Sequence, residues 1–190
     1  MTSQNNPLAS INQAIAAPMS GVFDLKFHQV AIYTDNVMRD ITMWKDMGYE
    51  EWSYDTAKLV GKDRGVPTIK QATMAFNYDI LPLELEYVSY NGPRNREDER
   101  TGFDAFLSHC STIVHDVEEK MLELKQKHGL EPYHQFVTQD HTNPNVQGIK
   151  RFKEAIYDTR HLLGFDIKLI QRVPWDFRLW DDEESNDGAA

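Results

Sequence analysis

The sequence predicts an α+β protein in which two copies of one βαβββ module form a curved mixed sheet around a central cleft. Three observations carry this. His28 matches His109, Ile32 matches Ile113 and Asp35 matches Asp116, all at one offset along the chain. Each Asp is followed by a helical apolar period that closes at Gly48 or Gly129, again at that offset. Three stretches of strand character then follow each glycine, the pattern of a duplicated module rather than a solenoid.

The elements follow in order. Residues 1–22, rich in Ser, Asn, Gln, Ala and Pro, read as a loose N-terminal segment. The first module, 23–92, opens with the strand FHQVAIYTDNV, and Asp35 is placed to cap a helix over 36–47 in which Val37, Ile41 and Trp44 share a face. Gly48 closes that helix, since glycine enters the left-handed conformation without a Cβ penalty. The strands YEEWSYDTAKLVG, TIKQATMAFNYD and LPLELEYVSY come next, with Gly61, Gly65 and Pro67 at the first turn and Asp79 to Pro82 at the second. A charged linker, 93–104, leads into the second module, 105–174. There the strand SHCSTIVHDVE precedes an Asp116-capped helix over 117–128, with Val117, Met121 and Leu124 on one face. After Gly129 come EPYHQFVTQ, RFKEAIYDT and GFDIKLIQRV, and the loop DHTNPNVQG between the first two is long enough to act as a lid. Residues 175–190 hold Trp175, Phe177 and Trp180 and end in an acidic tail; the aromatics are expected to pack on the body or on the second subunit of a homodimer.

Composition narrows the partners. The 190 residues are 41% hydrophobic and 26% charged, ordinary for a globular chain. A formal charge of −10 repels nucleic acid and anionic membranes, so neither is an expected partner and a small molecule is. No run of apolar residues is long enough to span a bilayer, and the N-terminus lacks the pattern of a secretory signal, so a cytoplasmic location is expected. The lone cysteine, Cys110, sits in the apolar stretch SHCSTIV and reads as a packing residue.

A pseudo-twofold brings equivalent first strands together, so His28 and His109 converge on the cleft. Matching LELEYVS with FDIKLIQ, with one inserted residue, sets Glu84 against Asp166 and Glu86 against Lys168. A lone strand histidine is usually a satisfied packing residue, but two at equivalent positions, with one or two carboxylates, suit Fe, Mn, Ni or Zn with coordination sites left open. Glu84 and Glu86 share a strand face, and either completes the set. His134 and Tyr157 are candidates to hydrogen-bond a substrate. Arg160, in YDTRH, fixes a turn or receives a substrate carboxylate. His115 and His128 stand near helix ends and read as surface or capping groups, and His141 lies in the long polar loop. There is no Ser-His-Asp order, phosphate loop or cysteine-rich zinc pattern.

Over residues 25–173 the ordered set FHQVAIYTD, ELEYVSYNGP, SHCSTIVHDVEE and YDTRHLLGFDIKLIQRV resembles the vicinal oxygen chelate superfamily of glyoxalases, bleomycin-resistance proteins and extradiol dioxygenases. The resemblance implies that the first and last strand of each module supply metal ligands, which maps onto His28, Glu86, His109 and position 168, with the run EYVSYNGP favouring Glu86 over Glu84. Lys168 departs from the pattern, because an ammonium has donors and no acceptor. The implied centre is therefore a divalent metal on His28, Glu86 and His109, with the Lys168 head turned toward Glu84, Asp166 or solvent.

Two functions are compatible with this. One is a metal-dependent isomerase, lyase or dioxygenase acting on a small oxygen-bearing molecule, with Glu84 or Lys168 as the catalytic proton-transfer group. The other is a non-catalytic protein that binds or sequesters a small molecule in the same cleft, which the loss of a ligand at position 168 favours.

Overall fold

The structure, a computed structural model, describes Phe23 and residues 25–91, 105–147 and 150–174. The expected N-terminal segment, linker and aromatic C-terminal segment with its acidic tail lie outside these residues. The first module comprises β1 (Gln29–Thr34), α1 (Val37–Asp46), β2 (Ser53–Asp63), β3 (Val66–Asn77) and β4 (Glu84–Asn91). The second comprises β5 (Ala105–Ile113), α2 (Val117–His128), β6 (His134–Gln139), β7 (Lys150–Tyr157), a single turn α3 (Arg160–Leu163) and β8 (Asp166–Pro174). Both modules are βαβββ, as the repeat predicts, with the turn α3 added before the last strand of the second.

Each helix starts where a side chain supplies the missing acceptor for its first turn. Asp116 Oδ1 accepts from the Glu119 amide at 2.9 Å, while in the first module Asn36, not Asp35, accepts from the Arg39 amide at 2.9 Å. Gly48 and Gly129 take φ of 96° and 69° after the two helices. The β2–β3 turn is tighter than expected. It is the pair Arg64–Gly65, at φ 50° and 78°, which matches the right-handed strand twist; Gly61 belongs to β2 and Pro67 to β3.

The eight strands close into a barrel in the order β1-β4-β3-β2-β6-β7-β8-β5. Within each module the first and last strands pair in parallel, and antiparallel β1–β5 and β2–β6 seams join the modules. The second seam requires Gly61, where a Cβ would meet the Gln135 carbonyl oxygen at 1.9 Å. Strand alternation divides the side chains into layers. Ala31, Leu59, Ala72, Met74, Val88 and Phe136 pack inside the barrel. Val30, Cys110, Tyr157, Ile167 and Leu169 face outward under Val117 and Leu124 of α2. On the opposite side, Val37 and Ile41 of α1 cover Ala75 of β3. Cys110 is fully buried in the α2 layer, where burial pushes its thiol up to about 12, in keeping with a packing role.

Candidate functional site

Register decides which side chains enter the barrel. Gln29 stands opposite Glu84 on β4, and His109 stands opposite Asp166 on β8. Since Glu84 and Asp166 are matched, the partner of His109 under the pseudo-twofold is Gln29, one residue beyond the histidine that the sequence repeat selects. The capping residues obey the same corrected offset, with Asn36 matching Asp116. A one-residue slip reverses the face of a strand. His28 accordingly sits just before β1, half-buried, with its Nδ1 accepting from the Ile113 amide at 3.2 Å. Burial, followed by the charges of Lys26 and Arg172, lowers its pKa and so favours the neutral ring.

Inside the barrel, Glu86 and His109 are both about 1% exposed, and Glu86 Oε2 lies 3.3 Å from His109 Nε2. Neither atom has a hydrogen-bond partner among the described residues. Two such donors make half of a metal site, but no group of three His, Cys, Asp or Glu side chains among the described residues converges to hold an ion. Asp166 is engaged elsewhere, accepting from Tyr133 Oη at 2.9 Å and from Arg160 at 3.1 Å. The expected set of His28, Glu86 and His109 therefore does not fit a divalent metal: His28 lies just before β1 with its Nδ1 on the Ile113 amide, and among the described residues the three do not converge on one point.

The positive charge beside Glu86 belongs to Lys168. This side chain is buried on the inner face of β8, with Nζ 3.2 Å from Glu154 Oε1 on β7. Burial disfavours its charge, but Glu154, Glu86 and Glu84 outweigh burial and raise the pKa above the ordinary 10.5, so the ammonium persists. Glu86 shifts the opposite way: burial opposes its charge, yet Lys168 and then His109 hold its carboxyl below the usual 4.5. The Lys168 head turns to Glu154, a residue absent from the expected alternatives, because β7 lies beside β8 in the barrel.

Glu84 is the third carboxylate near Lys168. It accepts from Gln29 Nε2, whose amide oxygen in turn accepts from Ser111 Oγ at 2.5 Å. Burial, with the charge of Glu86, raises the Glu84 pKa despite the hydrogen bonds from Tyr78 and Gln29. Glu84, Glu86, Glu154 and Lys168 all line one cavity of about 860 Å³.

The loop after β6 forms another part of that wall. His141 is 2% exposed, with Nδ1 2.6 Å from Asp55 Oδ2 and Nε2 2.8 Å from Thr138 Oγ1. Asp55 Oδ1 also accepts the amides of Thr142 and Asn143 at 3.0 and 2.9 Å, which docks the loop onto β2. These contacts outweigh burial and hold the Asp55 carboxyl below its usual value. The lid of the sequence reading is thus a fastened rim.

The remaining candidates lie away from the cavity lining. His134 is buried with Nε2 3.0 Å from Asp63 Oδ2 and 3.4 Å from Lys70 Nζ; burial, then the Lys70 charge, push its pKa down to about 4. Tyr157 is turned by strand alternation into the layer under α2, so it does not bind a ligand in the cavity. Arg160 donates to the carbonyls of Leu107 and Ser108 at 3.2 and 2.8 Å, tying α3 to β5 rather than waiting for substrate. Sequence reading missed Gln29, Asp55 and Glu154. The first was hidden by the offset error, whereas the other two depend on strand neighbours far apart in sequence.

By sequence the chain matches no family model and no curated protein. Its fold is similar to that of methylmalonyl-CoA epimerase from Mycobacterium tuberculosis, with TM-score 0.44 and 11% identity over 78% of this chain and 88% of that one. It is similar to a methylmalonyl-CoA epimerase in complex with methylmalonyl-CoA and NH4+, with TM-score 0.48 and 10% identity over 77% and 94%. It is also similar to glyoxalase I from Zea mays, with TM-score 0.41 and 16% identity over 80% and 43%. No helix of the described residues is long and apolar enough to cross a membrane.

Proposed function

We propose that this chain is an isomerase-type or lyase-type enzyme that moves a proton next to a carbonyl group of a small molecule, with the Lys168 ammonium supplying the positive charge that a metal would otherwise supply. The observation that carries this reading is the pairing, in one cavity wall, of a buried protonated lysine with a carboxyl of raised pKa, Glu84. A carboxyl whose pKa is raised holds a proton more readily than an ordinary carboxylate, which suits it to both taking and returning one.

The steps follow from the donors present. Glu154 takes one of the three ammonium N–H groups of Lys168, and the others are available to a substrate carbonyl oxygen. Glu84 in its ionised form takes the proton from the adjacent carbon, and the electron pair moves onto the oxygen as an enolate. A preformed cation stabilises that charge without reorganisation. Protonated Glu84 then returns the proton to carbon, or the enolate expels a leaving group. Gln29 and Ser111 orient Glu84, and Glu86 with His109 keeps the charge around Lys168 balanced.

The test is deuterium incorporation in D2O, followed by proton NMR, across a panel of thioesters, keto acids and hydroxy ketones with an exchangeable C–H. At least one class is expected to exchange without added metal, with the rate rising as pH passes upward through the raised Glu84 pKa. Glu84→Gln is expected to lower the rate by about 100-fold to 10,000-fold. Exchange that requires Fe, Mn, Ni or Zn would restore the metal-dependent reading. Tight binding of a ligand with no exchange would make the protein a small-molecule binder.

A further inference from the structure

The cavity is not uniform along its depth. The carboxylates and Lys168 lie on inner strand faces, while Lys26, His28 and Arg172 belong to the same cavity lining near the strand ends. Lys26 and Arg172 are exposed, and neither forms an ion pair with a carboxylate among the described residues. Arg172 follows Lys168 by four positions on the same face of β8, roughly 13 Å along the strand. Ile170 stands between them, and Ile113 and Phe152 line the cavity with it. The arrangement is a deep cation, an apolar span and a second basic group at the mouth.

Resting on the proton-transfer reading above, we infer that the substrate is an elongated anion: its carboxylate or phosphate is held by Lys26 and Arg172 beside His28, and its carbonyl reaches Lys168 across an apolar spacer. The mutual effect of these three groups agrees with their closeness, since Lys26 and Arg172 both disfavour a charge on His28. Short keto acids cannot bridge the two cations.

The experiment is calorimetric titration with 9-oxodecanoate, which carries a ketone and a carboxylate at opposite ends, with its uncharged primary amide, and with the short keto acid levulinate. The full-length protein is expected to bind 9-oxodecanoate about tenfold or more tighter than either comparison compound, and less tightly as salt rises. Lys26→Ala with Arg172→Ala should remove that advantage, the acid falling to the affinity of the amide in the variant, and both positions are exposed, so the fold should survive. Equal binding of acid and amide, no binding of the acid, or an advantage abolished by Lys168→Met but untouched by the double substitution would each overturn the inference. Failure of the proton-transfer reading is separable, because it appears as absent deuterium exchange in protein that still prefers the long anion.

Discussion

Lys168 shows how a buried charge is tolerated at the scale of one residue. Its ammonium survives because Glu154 contacts it directly and Glu86 and Glu84 add to the field, so the cost of desolvation is met by three carboxylates together. Removing only the cation leaves those carboxylates buried and uncompensated. Lys168→Met is therefore expected to destabilise the protein by about 3–5 kcal/mol in urea denaturation, and adding Glu154→Leu should recover part of that loss. The pH dependence has a definite sign. The folded pKa of Lys168 is raised, so its contribution is fully present below the unfolded value of 10.5 and is lost as pH rises through the folded value. Glu86 is depressed, so its contribution is present above 4.5 and is lost as pH falls through its folded value. In Lys168→Met both limbs should shrink, which urea midpoints across pH will measure.

At the scale of elements, the loop after β6 owes its position to one side chain on another module. Asp55 holds His141 and two loop amides, and Thr56 exchanges further hydrogen bonds with Thr142. Asp55→Ala strands these buried donors, with an expected loss of about 1–3 kcal/mol. Amide hydrogen exchange at 141–147 should rise while the β2–β3 hairpin remains protected; unchanged protection in the loop would refute the fastening role. The loop also marks the boundary of what was legible in the chain. The helices α1 and α2, the eight strands of the described residues and their order could be read from periodicity, capping side chains and Gly48 and Gly129, because those signals are local, whereas the single turn α3 was not read. His28 was misplaced because its match to His109 ignores strand parity, and only the pairing of Gln29 with Glu84 exposes the slip. Glu154 and Asp55 carry no local mark, since their partners come from neighbouring strands or from a loop far along the sequence.

At the scale of the whole molecule, barrel closure puts β8 beside β7 and brings β4 round to the same interior, so Lys168 meets Glu154 from one and Glu84 and Glu86 from the other. The repeat supplies two similar modules, but their contributions to the interior differ: Gln29 where the second has His109, and Glu86 where the second has Lys168. That asymmetry converts a potential four-donor centre into one with an internal cation. The central claim is that Lys168 stands in for a divalent metal, and titration of the purified protein with Mn(II), followed by electron paramagnetic resonance, tests it most directly. The wild-type chain should leave Mn(II) free in solution, whereas Lys168→Glu should bind about one ion per chain through the new carboxylate with Glu86 and His109. Stoichiometric binding by the wild-type chain, abolished by Glu86→Gln or His109→Ala, would contradict the account.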